Sequence, residues 1–295
     1  MFKIAHISDL HIRLNDENKL KDKFVNLMES ISNNGCNHLI ITGDISDSSD
    51  VKELKQVKSI LKKYKFDTIE KLSVTIGNHD IFGGAKKGPE VYLFPTECKN
   101  TNYNSKVRNF SDIFTQNNEL KSNHKKGNIF PILKKLSTKI VLISINSVAK
   151  WSVDLNPIAS NGIVDTENLT KLKIILKSKV IKDKFKIVLI HHNFKEPEIN
   201  SLHDSHSLWL YSERNTMKLH NKNDLITLFD RYSVNLILHG HTHKTESYKI
   251  NRNKYLNSSG CMIPFTDDRL HKYHIISFPD SKSNPFKFKT EIITI

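Results

Sequence analysis

Five short groups of polar residues each follow an apolar run, and their side chains are of the kinds that bind metal ions. In chain order the groups are Asp9-Leu10-His11, Gly43-Asp44-Ile45-Ser46-Asp47, Gly77-Asn78-His79-Asp80, His191-His192 and His239-Gly240-His241-Thr242-His243. Carboxylates, an amide oxygen and imidazole nitrogens suit divalent cations, and the lack of a thiolate argues against a structural zinc site. Two metal ions held side by side are typical of phosphate ester hydrolysis. The five groups therefore predict a dinuclear metal centre.

The first two groups offer acidic ligands. Asp9 and His11 are one residue apart, so on an extended chain both side chains point to the same side and could reach one ion. Taken alone, such a pair is more typical of a polar surface. Gly43 permits a sharp turn before Asp44, whose two oxygens could bridge two cations. Asp47 fits two roles equally well, orienting a ligand or capping the helix that follows it.

The third group supplies a neutral ligand and a residue for the substrate. Asn78 offers an amide oxygen to a metal ion, whereas its neighbour His79 points elsewhere and is expected to contact the substrate. Asp80 is expected to hold the His79 imidazole in one orientation and to keep it protonated. A simple turn is the alternative, since Gly-Asn is common in turns, but four such residues in series favour chemistry.

Histidines dominate the last two groups. Adjacent residues on a strand face opposite ways, so at most one of His191 and His192 is expected in a shared site. His241 and His243 are two residues apart and are expected to share a face. A buried strand that ends in three histidines around a glycine has little structural purpose, so this group is the strongest single indication of metal binding. His192 and His239 are expected to have supporting roles.

Apolar runs and helical periodicity predict the elements that must position these groups. Strands are expected at 4–8, 38–42, 72–76, 140–145, 186–190 and 234–238, and helices over 17–33 and 50–64, with shorter helical patterns at 107–114, 169–176 and 225–229. The alternation of strands and helices at the start favours parallel strands joined by right-handed crossovers. Because ligands gather at the carboxyl ends of such strands, we expect all five groups at one edge of an α/β sheet.

The remaining segments complete the expected architecture. Short alternating runs at 246–250, 254–258, 273–278 and 286–293 predict a closing antiparallel meander. A helix-rich front and a strand-rich back suggest two sheets packed face to face with helices outside, in one domain. Residues 81–130 are expected to be loops with one helix. The connection 194–220 could cover the site and select substrate, or be a solvated connection with Trp209 in the core.

Composition is that of an ordinary globular protein, with 295 residues, 38% of them hydrophobic and 26% charged. A net charge of +14 could mark a nucleic-acid surface, but the lysines lie on polar helix faces without interleaved aromatic residues, which favours biased composition. No apolar run is long enough to span a bilayer. The first group lies too near residue 1 for a secretory signal peptide, and Cys36, Cys98 and Cys261 are expected to be free thiols. A cytoplasmic location is predicted.

The order of the groups resembles the calcineurin-like metallophosphoesterase superfamily, in which D-x-H, G-D-x-x-D, G-N-H-D, H-H and G-H-x-H follow one another. The match extends from Asp9 to His243. This resemblance implies a four-layer α/β/β/α sandwich with two mixed sheets, formed by residues 1–295 as a single domain. It implies two metal ions, typically Mn, Fe or Zn. The implied ligands are Asp9, His11, Asp44 and His243 for one ion, and Asp44 (bridging), Asn78, His191 and His241 for the other.

The resemblance also implies an activity. His79 is then the residue that contacts the phosphate and assists the leaving group. The chain looks most like the branch that contains bacterial cyclic-AMP phosphodiesterases, although Asn193 stands where that branch usually has proline. A small phosphodiester is the expected substrate. Repair-type DNA or RNA nucleases share the opening motif but usually continue into a capping domain, and UDP-diacylglucosamine hydrolases often have Arg in place of His79; both remain alternatives.

Overall fold

Two mixed β-sheets form the centre of the computed structural model, which describes residues 1–14, 19–84, 92–115, 129–195, 217–262, 270–279 and 285–295. The first sheet contains β1 (Phe2–Ile7), β2 (His38–Thr42), β3 (Leu72–Thr75), β10 (Lys272–Phe278) and β11 (Lys289–Thr294). Their order across the sheet is β11-β10-β1-β2-β3. Strands β1, β2 and β3 run parallel, whereas β10 is antiparallel to both of its neighbours.

The second sheet has the parallel strands in its middle and antiparallel strands at both edges. It contains β4 (Ile132–Lys135), β5 (Ile140–Ser144), β6 (Phe185–Leu189), β7 (Leu236–His239), β8 (Thr245–Ile250) and β9 (Asn253–Ser258). Their order is β4-β5-β6-β7-β9-β8. Strands β5, β6, β7 and β9 are parallel, and β4 and β8 pair antiparallel with β5 and β9. Within each sheet, the parallel strands therefore end at the same edge.

The longer helices follow from apolar residues at helical spacing, and polar side chains cap the first turns of three helices, at Asp50, Asn102 and Asp165. The helices are α1 (Lys19–Asn33), α2 (Val51–Lys63), α3 (His79–Phe82), α4 (Phe94–Asn100), α5 (Tyr103–Phe114), α6 (Thr166–Lys177) and α7 (Lys222–Arg231). Helix α2 starts where the Asp50 carboxylate accepts a hydrogen bond from the backbone N of Lys52 (2.8 Å). Helix α6 starts in the same way at Asp165, and such caps stabilise a helix by about 1 kcal/mol.

Alternation along the strands explains the layers. In β1, Ala5 and Ile7 belong to a core shared with α1, α2 and α5, whereas Ile4 belongs to a core between the two sheets. In β6, Val188 packs with residues of α6 and α7, and Leu189 faces the inter-sheet core. Successive strand residues point to opposite faces, so each sheet is covered by helices outside and by the other sheet inside. The expected four-layer α/β/β/α sandwich with two mixed sheets is confirmed.

The expected closing meander is wrong in its pairing. All four predicted strands exist, but β8 and β9 form a hairpin in the second sheet, and β10 and β11 form a hairpin in the first. Alternating polarity indicates a strand but does not indicate its partner, because the pattern is the same for any sheet with one covered face. The 81–130 region also differs from the expected loops with one helix, since both α4 and α5 lie within its described part and α3 ends at Phe82. None of the described helices is long and apolar enough to cross a membrane.

Candidate dinuclear metal centre

The first cluster consists of Asp9, His11 and His243, which follow β1 and β7. Their potential ligand atoms lie within 4.8 Å of one another. His11 Nε2 is 3.2 Å from His243 Nε2, and Asp9 Oδ1 lies 3.9 Å from the first nitrogen and 3.8 Å from the second. One carboxylate and two imidazoles thus converge on one small volume.

The second cluster consists of Asp44, Asn78, His191 and His241, which follow β2, β3, β6 and β7. His191 Nε2 is the central atom: it lies 3.3 Å from Asp44 Oδ2, 3.1 Å from Asn78 Oδ1 and 3.0 Å from His241 Nδ1. All four residues are buried. The potential ligand atoms of this cluster are again oxygen and nitrogen atoms, and none of the described residues adds a thiolate to it.

Asp44 lies between the two clusters. Its Oδ2 is 3.3 Å from His191 Nε2 in the second cluster and 3.9 Å from His11 Nε2 in the first. Its Oδ1 accepts a hydrogen bond from the backbone N of His79 (2.8 Å), which fixes the carboxylate. Although burial opposes ionisation, His191 and His79 hold the pKa of Asp44 well below its ordinary value. The position is the one that a bridging carboxylate requires.

Left-handed backbone turns, and not the alternation of an extended strand, direct these side chains. The φ angles are 55° at Asp9, 45° at His11, 50° at Asp44, 80° at His241 and 54° at His243. The extended-strand reason for expecting His241 and His243 to share a face therefore does not hold, and the two residues lie in neighbouring clusters of one site. Non-glycine residues rarely adopt this conformation, and such strain is concentrated at functional sites.

The two sheets meet at the site through hydrogen bonds between their strand ends. The backbone N of His241 donates to both oxygens of Asp9 (3.1 and 3.0 Å), and His191 Nδ1 lies 2.8 Å from the carbonyl oxygen of Thr42. A carbonyl only accepts, so His191 carries a proton on Nδ1 and directs Nε2 toward the second cluster. The expectation of a single sheet edge is corrected: the site lies at the shared edge of both sheets.

Gly43 and Gly240 allow this close approach. A Cβ atom at Gly43, where φ is 97°, would lie 2.6 Å from His191 Nδ1. A Cβ atom at Gly240 would overlap the Asp9 carboxylate and Ser8 Oγ. Only glycine leaves room for ligand residues from the neighbouring strands at these two positions.

Asp47 connects the first cluster to His79. Its Oδ1 lies 3.3 Å from His11 Nδ1 and 3.6 Å from His79 Nδ1, and its Oδ2 accepts a hydrogen bond from Arg13 Nε (2.6 Å). Since Asp50 caps α2, the geometry favours the ligand-orienting role for Asp47 over the capping role. Although burial lowers the pKa of His79, the carboxylates of Asp44 and Asp47 outweigh it and raise that pKa to about 9. His79 is therefore held as a cation beside the clusters.

The role expected of Asp80 is corrected. Its Oδ1 accepts hydrogen bonds from the backbone N of Ile45 and of Ser46 (both 2.9 Å), and its Oδ2 accepts one from the backbone N of Gly77 (2.9 Å). These bonds tie the loop after β2 to the loop after β3, and the carboxylate beside the His79 ring is that of Asp47. Adjacent side chains diverge where α3 begins, so Asp80 is directed into the loops.

His192 and His239 are buried beside the clusters. His192 Nδ1 lies 2.8 Å from Ser147 Oγ, and its ring centroid is 4.5 Å from that of His241. His239 Nε2 lies 2.7 Å from the hydroxyl of Tyr248. These hydrogen bonds were not anticipated from the sequence, because no residue pattern indicates that Ser147 or Tyr248 holds a histidine of another strand.

The residues present fit two metal ions. Four imidazoles, two carboxylates and one amide oxygen form two neighbouring groups, and the nitrogens of His191 and His241 lie 3.0 Å apart at buried positions. A hard or borderline cation is suited by this donor set. The partners at His11 Nδ1 and His191 Nδ1 are carboxylate and carbonyl oxygens, the usual acceptors behind metal-bound histidines.

Comparison with known proteins agrees with this geometry. The family model for calcineurin-like phosphoesterases matches residues 2–245. The chain belongs to this family. It acts, as the family does, as a hydrolase of phosphate esters, and the family depends on two metal ions. A probable cyclic nucleotide phosphodiesterase of Coxiella burnetii is 26% identical to this phosphoesterase over 297 residues, which is 99% of this chain and 95% of that protein.

Solved structures share the fold of this phosphoesterase. A dimetal phosphatase of Danio rerio aligns with a TM-score of 0.61 at 12% identity, covering 100% of this chain and 98% of that one. Purple acid phosphatase PPD1 of yellow lupin, Lupinus luteus, aligns with a TM-score of 0.59 at 13% identity, covering 93% of this chain and 49% of that one. This phosphoesterase thus spans about half of the lupin protein.

Proposed function

We propose that this phosphoesterase is a dinuclear-metal-dependent phosphodiesterase that hydrolyses a cyclic nucleotide or another small phosphodiester. The observation that carries the proposal is the position of Asp44 Oδ2 between two groups of ligand atoms, 3.3 Å from His191 Nε2 and 3.9 Å from His11 Nε2. The phosphodiester substrate is supported by the Coxiella burnetii relative, which is named a probable cyclic nucleotide phosphodiesterase.

The first cluster would hold one ion and the second cluster the other, with Asp44 shared between them. Mn, Fe and Zn all suit a set of imidazole, carboxylate and amide ligands. When bound, two such ions neutralise charge on the phosphate and lower the pKa of a coordinated water. The histidines direct Nε2 toward the clusters because Asp47 and the Thr42 carbonyl engage the opposite ring nitrogens of His11 and His191.

His79 would contact the substrate. Its ring centroid is 4.4 Å from that of His11, and 23% of its side chain is exposed, so a substrate at the clusters could reach it. Asp47 orients the ring through Nδ1, and Nε2 is left for the leaving-group oxygen. A protonated imidazole there would stabilise the developing charge or donate a proton to it.

The chain would act as one domain over residues 1–295, because β1 near its start and β10 and β11 near its end pair in the same sheet. The cytoplasm is the proposed location, on the basis of the three cysteines, which are free. The role suggested for the connection 194–220 concerns residues 196–216, which lie outside the described residues.

Hydrolysis of cyclic AMP, bis(p-nitrophenyl) phosphate and a phosphomonoester should be measured with Mn, Fe and Zn supplied separately. We expect Asp44→Asn and His191→Ala to abolish hydrolysis of the diesters while the apo proteins still unfold cooperatively. Asp22→Asn, at an exposed position of α1, is the matched control and should keep wild-type turnover. Wild-type turnover in either site variant would overturn the proposal.

A nuclease is the second candidate, because the net charge of +14 would attract a polyanion. Single- and double-stranded DNA and RNA should be incubated with the metal-loaded protein and analysed on gels beside the small diesters. Cleavage of a polynucleotide at a higher kcat/KM than any small diester would favour the nuclease.

A further inference from the structure

A cavity of about 520 Å³ opens between the loop after β5, the start of α6 and Tyr103 of α5. We call it the β5 pocket and define it by Tyr103, Val148, Lys150, Trp151, Ile163 and Asp165. Ligand pockets for small molecules commonly have volumes of about 300–1,000 Å³. The β5 pocket is therefore large enough for a nucleoside.

The β5 pocket and the second cluster lie at the same edge of the second sheet. Strand β5 runs parallel to β6, and the backbone N of Ile145 donates to Leu189 O (2.8 Å), so residue 146 follows at the end where His191 lies. Ser147 Oγ is 2.8 Å from Nδ1 of His192, the neighbour of His191. The loop closes on the same ring at Gly162, where a Cβ atom would lie 2.5 Å from His192 Cγ. The loop that lines the pocket therefore packs on His192, the neighbour of a proposed metal ligand.

Tyr103 joins the pocket to His79 as well. Its ring centroid is 6.2 Å from that of Phe82, which lies in the short helix that begins with His79. The Tyr103 hydroxyl donates to Val148 O (2.7 Å) and accepts from Asn146 Nδ2 (2.9 Å). The Tyr103 ring is thus held in place by contacts to the loop after β5 and to α3.

The wall opposite Tyr103 is also held by hydrogen bonds. Trp151 Nε1 donates to Pro157 O (2.9 Å), which fixes the half-buried indole. Beneath it, the buried Asn156 donates from Nδ2 to Ala149 O (2.8 Å) and accepts from the backbone N of Asn161 (2.8 Å). A loop with such internal bonds presents a preformed surface, and a preformed surface lowers the entropy cost of binding.

The chemistry of the lining selects the occupant. Two aromatic side chains, Tyr103 and Trp151, suit a planar ring, and base–aromatic contacts are the general means of holding nucleobases. Lys150 Nζ lies 5.7 Å from the Tyr103 ring centroid and adds a cation at the rim of the pocket. An alkyl leaving group would make no stacking contact with the two aromatic rings.

We propose that the β5 pocket binds the nucleobase of a nucleotide substrate, with Tyr103 and Trp151 as specificity-determining residues. This assignment rests on the proposed phosphodiesterase function and narrows its substrate class to diesters of nucleosides. The phosphate would lie at the two clusters and the base beside α5.

Steady-state kinetics test the assignment with two substrates, cyclic AMP and the aliphatic diester glycerophosphoethanolamine. For Trp151→Leu we expect kcat/KM for cyclic AMP to fall about 5- to 150-fold, chiefly through KM, since this is the range for loss of one base–aromatic contact. The aliphatic diester should be hydrolysed within about twofold of the wild-type rate, and Trp151→Phe should restore cyclic AMP turnover. An equal loss for both substrates would overturn the assignment.

A binding measurement keeps the test independent of turnover. The chain has two tryptophans, so in Trp209→Phe the only indole is that of Trp151. Adenosine, which has no phosphate, should change the Trp151 fluorescence saturably, and ribose should not. Unchanged emission at millimolar adenosine would overturn the pocket assignment even if cyclic AMP is hydrolysed. Hydrolysis of neither diester, together with saturable adenosine binding, would overturn the phosphodiesterase proposal and support the pocket.

Discussion

Asp47 should determine metal affinity at the first cluster, although it is not one of the proposed ligands. Its Oδ1 lies 3.3 Å from His11 Nδ1 and holds His11 Nε2 toward His243 Nε2, 3.2 Å away. A hydrogen bond to a charged group contributes about 1.5–3 kcal/mol, or roughly 10- to 150-fold in an equilibrium constant. Loss of a partner behind a metal-bound histidine typically costs about 10- to 100-fold in affinity. We therefore expect Asp47→Ala to weaken Mn²⁺ binding about 10- to 100-fold.

Calorimetric titration of the metal-free protein with Mn²⁺ measures this loss, and two neighbours provide matched controls. Arg13→Ala removes the partner of Asp47 Oδ2, but the Arg13 side chain is 53% exposed, so the free energy of Mn²⁺ binding is expected to change by about 1 kcal/mol at most. Asp50→Ala removes the cap of α2, which should lower the free energy of unfolding by about 1 kcal/mol and leave Mn²⁺ affinity unchanged.

Two results would refute this reasoning. Mn²⁺ affinity within about twofold of wild type in Asp47→Ala would show that the carboxylate does not hold His11 for the metal. An equal loss of affinity in Arg13→Ala would show that the exposed ion pair, and not the contact to His11, determines affinity.

Three further predictions concern stability. Gly162→Ala should lower the free energy of unfolding by about 1–3 kcal/mol in urea titrations, because its Cβ would lie 2.5 Å from the buried His192 ring; equal stability to wild type would contradict this. Burial lowers the pKa of Lys134 from 10.5 to about 8, so between pH 8 and pH 10.5 the unfolded chain binds more protons than the folded one. The free energy of unfolding should therefore rise with pH over this range, and the rise should be smaller in Lys134→Met. Mn²⁺ at about 100 times its Kd should add about 2.7 kcal/mol of stability and raise Tm, and chelation should reverse the shift, whereas Asp44→Asn should show a smaller gain.

The sequence predicted those features that depend on local pattern. The apolar runs before Asp44 and His191 identified buried strands, and the polar groups at their ends identified the residues that lie together. It could not predict which carboxylate orients His79, because Asp47 reaches the ring across a turn whereas the adjacent Asp80 is directed away. Left-handed φ angles at residues such as His241 are imposed by the surrounding sheets and have no signature in residue type.

The sheet to which each late strand belongs was the other feature that could not be predicted from the sequence. Strands β9 and β10 are close in sequence and similar in pattern, yet they lie in different sheets. The difference is decided by distant partners: Leu238 lies opposite Leu256 in β9, and Ile4 lies opposite Ile276 in β10. Pairings over such separations depend on the whole packed arrangement, so a window of neighbouring residues carries no information about them.

The pairing of β1 with β10 has a consequence for synthesis of the chain on the ribosome. Phe2 lies opposite Phe278, so one side of β1 has no permanent neighbour until the chain has emerged as far as β10. At about 5–20 residues per second, this interval is on the order of tens of seconds. During that time an apolar strand edge is open to pairing with other chains. Nascent chains should therefore depend on chaperones until their last two strands are released, and slow elongation should favour aggregation.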